Sequence, residues 1–376
     1  MIKMRSTCLA GLCLAALASP GIAADAGGET LGFVVSFYAD VIPDNVEGGC
    51  PEGLNTTEDD QYGVSFRDWA KEARKIGPKE ASEKYYSGNA CRERGSQKDP
   101  GFRTFQADLP VAGLDLDGMN SKKAKGGECA HDDFRGADGK AGIDNQHWRL
   151  LGCTKGYQPD GQMDRMWESG NFIKEGIPIL IEVRGIDDRE NDDEVEVRIL
   201  SSAGTVTIDG SGKVVPHTSL AEHDEGKFRN AASKGKIENG VLTSEPADVR
   251  LHIKQQVIDT EFYYRDARIR AELTENGLEN GILGFFWDGD NFYKAMNDHY
   301  IGTYHSGRIA ALTRGYSCAG MDYALPKLMD GHPDPENGEC TSLSSAIHFE
   351  AVPAFVIPGK ESKMAQAAAL SSPGDS

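Results

Sequence analysis

Beyond its first two dozen residues the chain has no apolar run approaching the ~20 residues a membrane-spanning helix needs, so no transmembrane segment is expected there. It has no Cys-x-x-Cys and no Cys-x-x-Cys-His, so zinc ribbons, thioredoxin-type redox centres and c-type haem lack their motifs. No phosphate-binding glycine motif occurs. The Gly-x-Ser-x-Gly of a serine hydrolase is missed by one position in GYSCAG (315–320): the second glycine is late and Cys318 follows Ser317. Nine histidines are scattered, and His299 and His305 do not have zinc-motif spacing. Basic residues are few, with 40 Lys and Arg against 59 Asp and Glu. The net charge of −19 gives a field that repels nucleic acid and anionic membranes, so nucleic acid is not an expected partner.

The N-terminus, MIKMRSTCLAGLCLAALASPGIAADAGG, has Lys3 and Arg5, an apolar stretch from about Leu9 to Ala18, and small residues around Ala23, Ala24 and Ala26. This is the pattern of a secretory signal peptide, expected over residues 1–24. The mature chain would then be exported, to the periplasm or the extracellular medium, and its formal charge becomes −21 once Lys3 and Arg5 leave. Cys8 and Cys13 leave as well. Cys50, Cys91, Cys129, Cys153, Cys318 and Cys340 remain, an even set that in an exported protein points to disulfides. Pairing in chain order (Cys50 with Cys91, Cys129 with Cys153, Cys318 with Cys340) closes the shortest loops and is the expectation.

The stretch from Gly113 to Gln146, GLDLDGMNSKKAKGGECAHDDFRGADGKAGIDNQ, holds six aspartates and seven glycines. Calcium takes six to eight oxygens and favours carboxylates mixed with carbonyls, while glycine lets a loop bend round an ion. Asp115, Asp117, Asp133, Asp138 and Asp144 are the candidate ligands of one calcium ion. The loop is not an EF-hand: with Gly118 as sixth residue, the first and twelfth would be Gly113 and Ala124, which offer no side-chain oxygen. The competing reading is structural, with Asp144 capping a helix from Asn145 to Leu151 and Asp138-Gly139 making a turn.

Alternation of apolar and charged residues predicts strands over 31–42, 177–186, 194–200, in DVRLHIKQQV and EFYYRDARIRAELTENG, and finally in AIHFEAVPAFVI. Asn239-Gly240 and Asn276-Gly277 are turn signals between them. Helices are expected after Ser65, which with Asp68 resembles a capping box, then over 278–296 and 306–329. The fold class is mainly β with some α (α+β): an antiparallel β-sandwich or curled sheet with a loop-rich, partly helical, disulfide-stapled N-terminal lobe. The expected divisions are the signal at 1–24, the loop-rich lobe with the Asp-rich cation loop at 25–160, the β-rich lobe at 161–358 and a disordered tail at 359–376.

The combination of LDLDG, a cysteine and DDFRGADGKAGIDNQ resembles a pattern of uncharacterised exported bacterial proteins, as does RDARIRAELTENGLENGILGFF. That resemblance implies export and a β-rich fold, and no activity. WDGDNFY places Trp287, Asp288 and Asp290 together, a set that can grip a sugar by stacking and hydrogen bonding or can simply start a helix. The expected function is an exported, calcium-stabilised binding or envelope protein whose partner is a small molecule, a glycan or an envelope protein. Two alternatives are a secreted hydrolase acting on glycans and a purely structural or interaction protein. A glycosidase needs only two facing carboxylates, which leave no local motif.

Overall fold

The computed structural model describes residues 27–43, 46–57, 66–78, 80, 81, 84, 90, 91, 93–119, 129, 131–254, 259–297, 311 and 314–359. The expected signal peptide, the Ser65 cap, the pair His299 and His305, and all of the expected tail but Gly359 lie outside those residues. The strands are β1 (Glu29–Asp40), β2 (Phe134–Arg135), β3 (Ala141–Ile143), β4 (Ile179–Ile186), β5 (Asn191–Ser201), β6 (Thr218–Ala221) and β7 (Ser233–Glu238). They continue with β8 (Val241–Ser244), β9 (Ala247–Lys254), β10 (Asp259–Thr274), β11 (Gly277–Asp288), β12 (Gly331–Pro333) and β13 (Cys340–Ile357). The helices are α1 (Phe66–Ile76), α2 (Gln146–Leu151), α3 (Gln162–Glu168), α4 (Asn171–Lys174), α5 (Gly289–Asn297) and α6 (Cys318–Leu328).

The large sheet curls until it closes. Its order is β1-β4-β5-β7-β8-β10-β11-β13, and β13 pairs back onto β1 with Phe33 opposite Pro353 and Asp40 opposite Ile347. Every one of these pairings is antiparallel, so eight strands in chain order form an up-and-down barrel. Successive side chains of a strand point to opposite faces, so alternate residues fill the interior. Val35, Ile181, Ile199, Ile269, Leu283, Ile347 and Phe349 meet there around a cavity of about 10 Å³, room for about one water. β9 extends the sheet beside β10, β12 beside β13, and β6 runs parallel to the end of β13.

Asn239 and Gly240, both at positive φ, join β7 to β8, as the Asn-Gly signal leads one to expect. Gly281 on β11 lies opposite Phe349, and a Cβ there would come within 2.6 Å of the Phe349 ring. Gly281→Ala should therefore overpack this contact and cost about 1–3 kcal/mol in urea unfolding; an unchanged midpoint would show that the ring moves freely aside.

Two helix expectations are corrected. Most of 278–296 is strand β11, held by hydrogen bonds to β10 on one side and β13 on the other, and only its end is helix α5. The helix expected over 306–329 is interrupted: among the described residues Ala311 and Arg314 are helical, 315–317 are not, and α6 then starts where Ser317 Oγ accepts from Gly320 N at 3.0 Å. The disulfide pairing is corrected too: Cys50 joins Cys153, Cys91 joins Cys318 and Cys129 joins Cys340. For the last two the cause is barrel closure. β1 sits between β4 and β13, so the first third of the chain lies against the last, and sequence neighbours are not spatial neighbours. Phe105, Trp148 and Leu150 accordingly share one apolar core with Leu180, Phe285 and Leu325.

Beside the barrel, the turn after β6 is clasped to the β9–β10 hairpin by a directed chain of hydrogen bonds. Glu225 N donates to His223 Nδ1 at 3.1 Å, His223 Nε2 lies 3.0 Å from His252 Nδ1, and His252 Nε2 lies 2.8 Å from Asp259 Oδ1. The backbone donor makes His223 Nδ1 an acceptor. Neutral His223 then carries its proton on Nε2, and His252 donates to Asp259 through Nε2. Burial, and then the neighbouring His252, hold the His223 pKa below the ordinary histidine value. The sign follows: the clasp contributes its stability above the unfolded value of about 6.5 and loses it as pH falls through the folded one. Urea unfolding at pH 5 to 8 should show wild type losing more stability below pH 6.5 than His223→Asn. Parallel curves would remove the clasp from the pH response.

A candidate cation site on the barrel wall

The LDLDG segment crosses the outside of the barrel. Leu114 and Leu116 lean on Gly284 of β11, where a Cβ would lie 3.0 Å from Leu114 Cδ1 and 3.1 Å from Leu116 Cδ2. Alternation then sets Asp115 and Asp117 apart from the leucines on either side of them. The other half of the site comes from the β2–β3 hairpin. Asp144, just after β3, forms an antiparallel bridge with Leu114, its N donating to Leu114 O at 3.0 Å. Gly142 has φ +88, and a Cβ there would stand 2.9 Å from Met119 O and 3.5 Å from Asp115 Oδ2. Only glycine allows this close approach of the two halves.

One carboxylate oxygen from each of Asp115, Asp117 and Asp144 lies within 4.8 Å of the others. Oxygens bound to one calcium at 2.3–2.6 Å are at most about 5 Å apart, so all three can touch one ion. The loop folds around its own carboxylates: Asp144 Oδ2 accepts from Leu116 N at 2.6 Å, Asp115 Oδ1 from Gly118 N at 2.7 Å and Asp117 Oδ1 from Met119 N at 2.7 Å. Asp144 is only 3% exposed. Burial, and then the charges of Asp117, Asp330 and Asp133, push its carboxyl up to about 8 against the backbone hydrogen bond from Leu116. Asp330 is also buried, accepts from Ser344 N at 2.7 Å, and is pushed up to about 7, chiefly by burial.

The five predicted ligands therefore divide. Asp115, Asp117 and Asp144 converge, and Asp133 reaches the group through its charge. Asp138 does not join: its Oδ1 accepts from Lys140 N at 3.0 Å and its other oxygen pairs with Lys140 Nζ at 3.1 Å, which makes it a turn residue. Asp144 is not the helix cap either. Asn145 takes that role, its Oδ1 accepting from Trp148 N at 3.1 Å. Asp330 had no signal of its own in the sequence, where it lies far from the loop it faces.

The sugar-gripping set is undone. Trp287 is 4% exposed, enclosed by Phe262, Tyr264 and Phe292, so neither ring face is open to a sugar. Asp288 Oδ1 accepts from Asn291 N at 2.9 Å at the start of α5, and the exposed Asp290 pairs with Arg94 at 2.7 Å. Ser317 is a buried helix cap beside a disulfide-bonded cysteine and not a nucleophile. Among the described residues no helix is long and apolar enough to cross a membrane. Compared with protein-family models, with curated proteins and with solved structures, the chain finds no match in any of the three.

Proposed function

We propose that this is an exported, calcium-stabilised binding protein of the envelope or the secreted medium, in which a closed barrel is the rigid body and a cation fastens the Asp-rich loop to its wall. The observation that carries the reading is the convergence of Asp115, Asp117 and the buried Asp144. Carboxylates so close repel one another, and a divalent ion turns that repulsion into attraction. Asp330 behind them adds negative charge that favours the ion. The all-oxygen donor set suits a hard cation such as calcium and not a thiophilic metal. The three disulfides fit an oxidising compartment. The rival reading, a glycan hydrolase, loses the aromatic–carboxylate set chosen for it, because Trp287 is enclosed.

Export has its own test. Expressed in a Gram-negative host, the protein should be recovered outside the cytoplasm beginning at Asp25, with no free thiol among its six cysteines under non-reducing mass spectrometry. A full-length cytoplasmic product, or two or more free thiols, would reject it. The cation reading is tested by calcium-dependent unfolding.

A further inference from the structure

One mouth of the barrel carries a polar layer that neither the cation site nor the barrel lining uses. Asp40 is the last residue of β1, and its partner across the ladder is Ile347, an interior residue. Tyr38, two positions earlier, also lines the interior, so Asp40 is the last inward-facing group at that mouth. Tyr264 and Trp287, a cross-strand pair on β10 and β11, face the same region. The cover comes from outside the barrel. Tyr157 OH donates to Asp40 Oδ2 at 3.2 Å, and the His147 ring stands edge-on to Tyr157, Trp287 and Phe292 at centroid distances of 6.1, 6.0 and 5.3 Å.

Among the described residues, three buried nitrogens in this layer have no hydrogen-bond partner: His147 Nε2, Asn297 Nδ2 and Arg314 Nε. Their residues are 4%, 3% and 7% exposed. Asn297 is oriented by Tyr316 OH, which donates to its Oδ1 at 3.1 Å, so its NH2 points elsewhere. Arg314 Nη1 donates to Met296 O at 2.8 Å, and no carboxylate of the described residues lies within ion-pair distance of the guanidinium. A buried guanidinium without an anion is costly, and each unmade buried hydrogen bond costs about 1–3 kcal/mol. The edge of Arg314 formed by Nε and Nη2 is the edge that grips a carboxylate with two parallel hydrogen bonds. Burial holds the His147 pKa down and the Asp40 pKa up, and at Asp40 the charges of His147 and Arg314 and the hydrogen bond from Tyr157 work against that rise, so Asp40 lies within electrostatic reach of Arg314.

We propose that this buried polar layer binds a small carboxylate, gripped side-on by Arg314, with Asn297 Nδ2 as a further donor and with His147 and Asp40 facing the rest of the molecule. Barrel mouths are common ligand sites. The cavity of about 10 Å³ beneath excludes a long acyl tail, so the ligand is a short free acid and not a fatty acid. The inference rests on the reading of the barrel as a binding module and not on calcium.

The test is calorimetric titration of the full mature chain, with calcium present throughout, against sodium acetate, lactate and succinate up to about 20 mM, with sodium chloride as control. At least one acid should bind saturably at one site, and Arg314→Lys, which keeps the charge but loses the fork, should weaken it at least about tenfold while calcium still raises the unfolding temperature. Should that variant fail to fold, the wild type suffices: the Arg314 Nε–H resonance should shift on titration. Binding with an unmoved Arg314 signal, or equal binding by Arg314→Lys, leaves the module and rejects the site at Arg314. No binding by any probe, or a high-resolution structure with only water at Arg314, rejects the carboxylate site and leaves the calcium reading to its own measurement.

Discussion

Calcium should raise the unfolding temperature of the wild-type protein, and Asp144→Asn should abolish that rise while leaving the calcium-free protein at least as stable as wild type at pH 8. An ion bound only by the folded state stabilises it by RT ln(1 + [L]/Kd), about 2.7 kcal/mol at a hundredfold excess over Kd. The opposite behaviour without calcium comes from Asp144 itself. Its carboxyl is pushed up to about 8 by burial and then by the charges of Asp117, Asp330 and Asp133, so the folded state holds a proton that the unfolded chain releases near pH 4. The folded state thus binds more protons across that interval, and calcium-free stability falls as pH rises from about 4 to about 8. Asparagine imitates the protonated acid and can still accept from Leu116 N and Asp117 N, so it removes this loss. It also removes a ligand. Since metal binding must expel the proton, the calcium effect in wild type should grow between pH 6 and 8. Unfolding curves at pH 6, 7 and 8, in calcium and in chelator, check all three statements. Asp117→Ala should behave like Asp144→Asn towards calcium. Asp138→Ala, at the turn with Lys140, and Asp192→Ala, whose carboxylate accepts from Asp187 N at 2.7 Å, should keep the full shift. An unchanged wild-type curve, or a full shift in Asp144→Asn, would reduce the loop to a structural one.

What the sequence disclosed depended on how local the cause was. The strands β5, β9 and β10 announced themselves because each has one face turned more to the core and one more to water, so hydrophobicity alternates at period two, while β4 and β13 are buried on both faces over much of their length and showed through their apolar residues. β11 did not, because Gly281 and Gly284 interrupt its alternation to admit Phe349 on one face and Leu114 and Leu116 on the other. What remained resembled a helical spacing. Closure of the barrel was hidden for a different reason. The pairing of Phe33 with Pro353 joins residues at opposite ends of the chain, and nothing in either segment specifies the other.

The cation site divides along the same line. Asp115, Asp117 and Asp144 were legible because glycines and paired aspartates mark a loop that must bend round something. Asp138 has the same local signature and does another job, since an Asp-Gly turn satisfied by Lys140 looks the same in one dimension. Asp330 is brought up only by the β12–β13 pairing, through the bonds of its backbone and side chain to Ser342 and Ser344. His147, Asn297 and Arg314 are three ordinary polar residues in three separate segments, and their shared burial at the barrel mouth exists only in three dimensions.

Removal of the Cys91–Cys318 disulfide should be the most damaging of the three such changes, and Cys129–Cys340 should be the first bridge lost to a mild reductant. Loop length does not decide this. The bridges span 103, 227 and 211 residues, and each doubling of a loop adds only about 0.6 kcal/mol of closure entropy. Surroundings decide it. Cys91 and Cys318 are both buried in the main core, and their bridge ties the segment before the Asp-rich loop to the start of α6. That junction is also where Tyr293 OH donates to Ala90 O at 2.6 Å and where Arg94 meets Asp322 at 2.5 Å. Replacing both cysteines with alanine removes the cross-link and leaves unfilled core volume, so the cost should reach the upper part of the usual range of about 2–5 kcal/mol. Cys50–Cys153 has one buried partner, and Cys129–Cys340 has two half-buried ones, so thiolate attack on Cys129–Cys340 meets the least obstruction. Timed alkylation after limited exposure to dithiothreitol, read by peptide mass spectrometry, gives the order of opening. Urea unfolding of the three double-alanine variants gives the order of cost. If Cys91–Cys318 opens first, or if its loss costs no more than that of the other two, the first and last thirds of the chain are not held together through this buried bridge.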